Sequence, residues 1–485
     1  MSSPRKPPPD LLSLPNEILG RICRFVALLP MRYYSDLESK HVSNLRLTCK
    51  HLYIPATMEL ARIHLDKPIA MFTRHSLENL AELCKHPLFG PHIRDVGFYP
   101  LRFDEQLVYQ TEYKLNTSIF NRDPTGIAEA MKELNTYLKY LEEEYHLERS
   151  GQAVELLTEI FCSLRLHGKA IGISLPGKRH WHGEKIIRKK AQTPIGYSTA
   201  VESLSHREEH VWGHVLNEDE SALSLMTMLE AIVRSDCRVS SLHLHTPDTK
   251  WRDVTIEPSR IQSVSGSLEN LKSIRIGLPD IPLLGGLEHI LQATLSHAKG
   301  LEKLYLSSFD EQSDYMYVRF GVEFLDSATH TLGSVNSNAL VHVHLEDIPV
   351  RATDLLKFLE RHKHTLKELA LLRMPVIGEW GDVLVWIEEN IEENLHLEKL
   401  CLASMRATDE LPENFEWIQA SPWFSGGFGA SGKDEVHLKT QRFLAYLKRW
   451  CAGDKDIDHE EYELGLSDLW TLRAKFMGAG FMDDS

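Results

Sequence analysis

Apolar positions near the start of the chain recur at steps of three and four. Ile18, Leu19, Ile22, Phe25, Val26 and Leu29 have the spacing of an amphipathic helix of about four turns. Ser13 can cap its start, and Pro15 falls in the first turn, where a missing N–H costs little. Pro30 to Lys40 is polar and aromatic and reads as a loop. A second amphipathic segment, Val42 to Met58, carries Leu45, Leu47, Cys49 and Leu52 and is expected to stop near Pro55 or soon after it.

From about residue 90 the pattern changes to short runs in which apolar residues sit at the first, fourth and sixth places. They are Val239/Leu242/Leu244, Leu271/Ile274/Ile276, Leu301/Leu304/Leu306, Leu340/Val343/Leu345, Leu366/Leu369/Leu371 and Leu397/Leu400/Leu402. Ile93/Val96/Phe98 fits as well, and Ile171-Gly172-Ile173 is a fainter match. Measured on the middle position, the steps from 242 to 400 are 32, 30, 39, 26 and 31 residues. Amphipathic stretches lie between, clearest at Leu287 to Ala298, Asp354 to His362 and Asp382 to Asn394. Strand then helix at such a step is the pattern of a leucine-rich-repeat solenoid, in which one unit cannot bury its apolar side but stacked neighbours can. A doubly wound sheet also alternates strand and helix, but its strands are longer continuous apolar runs.

Composition narrows the functions. The 485 residues carry 54 Lys+Arg against 69 Asp+Glu, a formal charge of −15, which argues against non-specific nucleic-acid binding. Seven cysteines occur without any Cys-x-x-Cys pair, so neither a disulfide framework nor a cysteine-rich zinc site is expected. Met1 to Asp10 is polar and Pro-rich, with no apolar core of a signal peptide, and Phe25 to Met31 is too short to span a bilayer. An intracellular protein, cytoplasmic or nuclear, without membrane or nucleic-acid partners is the expectation.

The most specific wording lies in the first sixty residues. Leu14-Pro15-x-Glu17-Ile18-Leu19-x-x-Ile22, followed by Leu45-Arg46-Leu47-Thr48-Cys49-Lys50-x-Leu52-x-x-x-Ala56, resembles the F-box. The stretch between Val26 and Leu45 is longer than that family's usual loop. The resemblance implies a small helical hairpin that packs on a Skp-type adaptor and through it joins a cullin-based ubiquitin ligase. The adaptor-binding residues would be Leu14, Pro15, Ile18, Leu19, Ile22, Leu45, Leu47, Cys49 and Leu52. About fifty residues cannot enclose that much apolar surface alone, and a partner would complete the core. A rival reading is that they pack internally in a repeat scaffold with no ligase role. The remainder resembles, more weakly, the divergent leucine-rich-repeat region of fungal-type F-box proteins. The Asn that normally follows each strand is replaced by Pro247, Pro279, Phe309, Ile348, Met374 and Met405, so stacking is expected to rely on apolar contacts in an irregular superhelix.

The expected organisation is therefore an α/β chain with a disordered leader at 1–9 and the F-box at 10–60. A repeat solenoid follows at 61–425 with a basic insertion near 177–198, and a Gly-rich loop and C-terminal helices fill 426–485. Within each strand the residue between the two apolar ones should face away from the helices. That assigns His243, Arg275, Tyr305, His344, Ala370 and Cys401 to one row, flanked by His245, Lys303, Ser307, His342, Glu346, Glu368 and Lys399. A target protein would bind there, principally on His243, His245, Arg275, Tyr305, His342, His344, Lys399 and Cys401; a solvated strand face is the plainer reading.

Enzyme chemistry finds little support. Gly427 to Lys433 resembles the first part of a phosphate loop, but no clean strand precedes it and Asp434 stands where a Ser or Thr should hold magnesium. The histidine pairs 180/182, 243/245 and 342/344 could chelate a metal, and His210 and His214 lie one turn apart. Glu209 precedes the first of that pair, so the His-Glu-x-x-His order is not met. No Gly-x-Ser-x-Gly elbow occurs. Neither cofactor, metal nor catalytic residue is expected. The cluster Gly177 to Lys190, with six Lys/Arg and one Glu, reads as a solvated loop, or as a nuclear address or acidic-partner site.

Overall fold

Helices and strands alternate along most of the chain in the computed structural model, which describes residues 14–28, 36–99, 102–103, 106–168, 170–175, 216–217, 221–245, 258–277, 286–307, 322–378, 380–391, 395–403, 406–408 and 427–451. The architecture is α/β. The chain divides into two compact units, Met1–Glu218 with Ser224–Cys237, and Asp219–Leu223 with Arg238–Ser485. The leader and the basic cluster at 177–190 lie outside the described residues, as do His180, His182, His210 and His214.

The first unit opens with α1 (Asn16–Leu28), α2 (Asp36–Thr48) and α3 (Lys50–His64), which pack on one another. The expected single segment from Val42 is thus two helices, and the first begins inside the expected loop. Thr48 donates its hydroxyl to the Leu45 carbonyl at 2.7 Å, and Cys49, extended at φ −159° and ψ 163°, breaks the run. Pro55 does not end α3; it sits buried inside the helix. Losing one backbone bond there is outweighed by the packing of Leu52 and Ala56, which are 6% and 0% exposed.

Beyond these lie β1 (Ile69–Met71), α4 (Arg74–Lys85), β2 (Asp95–Tyr99), β3 (Arg102–Phe103), α5 (Gln106–Phe120), α6 (Pro124–Arg149), α7 (Gln152–Leu166), β4 (Ile171–Leu175), β5 (Leu216–Asn217) and α8 (Ser221–Ser235). β1 and β4 flank β2, both parallel to it, with Ile69 opposite Gly97 and Val96 opposite Ile173. β3 and β5 form a small antiparallel pair. Phe98 stands at the centre of the core, tilted on Phe72 at 5.8 Å and meeting Phe161 edge-on at 6.0 Å. The strands anticipated at Ile93/Val96/Phe98 and Ile171–Ile173 are present, but the chain between them departs from the repeat pattern. There α5 and α6 pack together across a short turn, where the Asp123 carboxylate accepts from the Thr125 N–H and Pro124 begins α6.

The second unit follows the pattern closely. Its elements are β6 (Val239–His245), α9 (Pro258–Ser267), β7 (Ser273–Gly277), α10 (Gly286–His297), β8 (Lys303–Ser307), α11 (Val322–Ser334), β9 (His342–Glu346), β10 (Val350–Arg351), α12 (Ala352–His362), β11 (Glu368–Leu372), β12 (Pro375–Ile377), α13 (Trp380–Ile391), β13 (Lys399–Ala403), β14 (Arg406–Thr408), β15 (Gly427–Ser431) and α14 (Lys433–Cys451). Strands β6, β7, β8, β9, β11 and β13 lie side by side in chain order, every neighbour parallel. Each helix from α9 to α14 packs on the next. Leu242, Leu244, Ile274, Ile276, Leu304, Leu306, Val343, Leu345, Leu369, Leu371, Leu400 and Leu402 are all buried. They form one apolar face of the sheet.

Between strands the same backbone bond recurs one residue before each strand. Glu302 N–H donates to Lys272 O, Val341 to Glu302, Lys367 to Val341 and Glu398 to Lys367, at 2.7–2.9 Å. β10, β12 and β14 add a second, smaller parallel sheet. Ile348 and Met374, two of the residues in the expected Asn position, are 0% exposed; stacking there is apolar. Residues 247, 279, 309 and 405 lie outside the described residues. The Gly-rich segment is a correction: it is not a loop. Gly427–Ser431 pairs antiparallel with β13, Gly429 opposite Cys401, so a segment poor in side chains has been used as an edge strand.

Candidate functional site

The motif residues of the N-terminal helices sort into two sets. Leu19, Cys23, Val42, Leu52 and Ala56 form a small core closed among α1–α3, and Leu14, Ile22, Leu45, Cys49 and Leu60 pack half-buried against it. Pro15, Ile18 and Leu47 face outward, with Ile18 38% and Leu47 76% exposed. Phe25, Tyr53, Ile54 and Met58 are exposed as well, and Arg46 covers the Tyr53 ring at 5.6 Å. These side chains leave apolar area of the small module open to water. Cys23 and Val42 were not among the expected residues. Cys49 is the break before α3 rather than a member of a helical face.

On the sheet, the register places the expected row side by side: His243, Arg275, Tyr305, His344, Ala370 and Cys401 are successive Cα partners. Lys303, His342, Glu368 and Lys399 form the adjoining row. His245 lies opposite Gly277 at the end of β6. The row is not an open stripe along its length. His243, Arg275 and Lys399 are partly exposed, but Tyr305, His342, His344 and Cys401 are buried at 7%, 8%, 0% and 0%. Ala370 is buried beside them. The residues expected to meet a target therefore divide into an accessible part, His243 on β6, Arg275 on β7 and Lys399 on β13, and a part covered by the chain itself.

The covered part is a polar network. The Arg275 guanidinium lies 4.3 Å over the Tyr305 ring, whose other neighbour is the His344 ring, stacked at 4.1 Å. Tyr305 Oη donates to Glu346 Oε2 at 2.9 Å, and His344 Nε2 lies 3.1 Å from the same oxygen. Arg373 Nη2 donates to Glu346 Oε1 at 2.8 Å and to Asp347 Oδ2 at 2.6 Å. Asp347 and Arg373 each follow a strand by one residue and each adopt a left-handed backbone, φ 55° and 48°, a conformation costly for residues with a side chain. Their ion pair holds the two strained corners together. Burial drives His344 below the ordinary imidazole range, its bond to Glu346 pulling the other way. Glu346, 1% exposed, is the hub that ties β8, β9 and the end of β11. Arg373 and Asp347 carry no sequence signal, because neither is the glycine that usually marks such a corner.

Beside it, Glu368 Oε2 lies 2.8 Å from His342 Nδ1, and Lys399 donates to Oε1 at 2.6 Å. The bond to His342, against burial and with help from Lys399, lowers the Glu368 carboxyl to about 2. In α12, His362 is 2% exposed and packs on Phe358 at 4.9 Å. Burial first, then the Arg361 charge, pushes it down to about 4. Both folded values lie below the unfolded ones, so each group contributes stability that is complete above its unfolded value and lost on acidification. The window is 6.5 to about 4 for His362 and 4.5 to about 2 for Glu368. Unfolding in urea should therefore show about 1–2 kcal/mol less stability at about pH 5 than at about pH 7.5 from His362 alone. His362→Phe should flatten that difference; an unchanged slope would contradict the assignment.

Among the described residues no group of three or more His, Cys, Asp or Glu side chains is arranged to hold a metal ion, and no helix is long and apolar enough to cross a membrane. No family model matches the chain, and no curated protein matches it.

Proposed function

We propose that the chain is a substrate-recognition subunit of a Skp/cullin/F-box ubiquitin ligase, binding the adaptor through α1–α3 and a target protein through the second unit. The reading rests on the Leu14-Pro15-x-Glu17-Ile18-Leu19 and Thr48-Cys49-Lys50 wording together with one structural observation. The motif residues Pro15, Ile18 and Leu47 face outward while Leu19 and Leu52 hold the small core. A module that folds with apolar motif residues on its outside presents them to a partner. The second unit is read as an irregular leucine-rich-repeat solenoid. Its strands in chain order, its helices each packed on the next and its apolar residues in place of the Asn ladder support that. In this reading the ligation chemistry sits on other subunits, and the chain contributes the nearness of target to ligase. The target would meet the accessible part of the face, His243, Arg275 and Lys399, rather than the buried Tyr305, His344 and Cys401.

The alternative, an interaction scaffold with no ligase role, draws on the closure of Leu19, Cys23, Val42, Leu52 and Ala56 within the three helices. Capture of a Skp-type adaptor by wild type and by Leu14→Ala with Pro15→Ala separates the two. Retention should fall at least about tenfold in the double variant. Wild type that captures no adaptor, or a variant that captures it equally well, favours the scaffold.

A further inference from the structure

Helix α5 is amphipathic the wrong way round for a monomer. Thr111, at 2% exposed, faces the interior with Val108 and Leu115 half-buried. Its large rings point outward: Tyr109 is 70%, Tyr113 75% and Phe120 87% exposed. Positions 109, 113 and 120 fall within about 40° of one another on the helical wheel, and Asn116 lies about 20° to one side of that arc. Burying such rings is the largest apolar gain a helix can offer, and here it is left unused within the chain.

We propose that this stripe is a contact between two copies of the chain, paired with their α5 helices antiparallel. The spacing is symmetric: 109, 113, 116 and 120 read four, three, four in either direction. A two-fold axis between residues 114 and 115 sets Tyr109 opposite Phe120 of the second copy and Tyr113 opposite Asn116, each twice, as a closed symmetric interface requires. The central Asn116 fixes the register, as a polar residue in an apolar seam does. A chain of net charge −15 repels its copy, so self-contact is most favourable where ionised groups are few, and the stripe 109/113/116/120 itself carries none. The only acid and base on α5 are Glu112 and Lys114, and Lys114 reaches across to Glu133 of α6 at 3.3 Å. Three rings at about 150 Å² each, on both copies, remove about 900 Å² of surface from water, and the polar residues between them bring the total to about 1,000 Å², the size of a weak, reversible interface.

Sedimentation equilibrium of the full chain between about 1 and 100 μM, the range of weak reversible association, tests the proposal. The wild type should show a reversible monomer–dimer equilibrium. Tyr113→Glu with Phe120→Glu should weaken it at least about tenfold, with unchanged helical content because both side chains are exposed. Asn116→Leu should tighten it about tenfold. A wild type that stays monomeric throughout, or a dimer that neither variant shifts, overturns the proposal.

Discussion

Replacing Glu346 with alanine is expected to destabilise the second unit by about 3–5 kcal/mol, because it strands the cation and the neutral donors that converge on one buried carboxylate. Arg373 and Tyr305 each lose a bond to that side chain, and His344 loses its neighbour. Asp347 alone is then left to balance Arg373 at a corner where both backbones are left-handed. Hydrogen exchange of strands β8, β9 and β11 should rise together, since the network spans those three strands. The companion variant carries Arg373→Met and Asp347→Asn as well, so that no member of the trio is left as a lone buried charge. Removing all the charges of a buried group costs far less than removing one, so the triple variant should recover a large part of the loss. Equal destabilisation in the two variants would show that Glu346 acts through packing alone.

Phe161→Ala is the second large effect, about 3–5 kcal/mol, and it falls on the first unit. Phe161 is 0% exposed on α7 and meets Phe98 of β2 edge-on. Phe98 in turn touches Phe72, so the cavity opens beside a three-ring stack rather than at the margin of the core. Leu157, Ile160 and Leu164 on the same helix are also 0–1% exposed, which leaves little room for collapse into the space. Equilibrium urea unfolding read by exchange in β1, β2 and β4 measures it. A loss below about 1 kcal/mol would mean that the helix settles into the gap.

The strands of the second unit were legible in the sequence because an alternation of leucines over five residues has few other uses. Their register was legible too: the residues between the leucines do align from His243 to Cys401. Burial of that row was not, since it depends on what lies over the face and not on the strand's own period. Nor was the break at Cys49, which no glycine or proline marks, or the left-handed corners at Asp347 and Arg373. The glycines of β15 read as a loop because glycine is depleted in strands, and the pairing with β13 overrides that preference. On α5, the outward rings look from sequence like any apolar helix face. In α1–α3 the motif named nine residues, and only the fold separates Leu19 and Leu52, which hold the module together, from Pro15, Ile18 and Leu47 at its surface.

That separation allows the central claim to be tested without unfolding the module. Titration of a purified Skp-type adaptor into the full chain, followed by calorimetry, should give one-to-one binding in wild type. Ile18→Asp with Leu47→Asp, both exposed, should weaken it at least about a hundredfold while helical content stays unchanged. No heat of binding in wild type, or an affinity untouched by the two aspartates, would contradict the account.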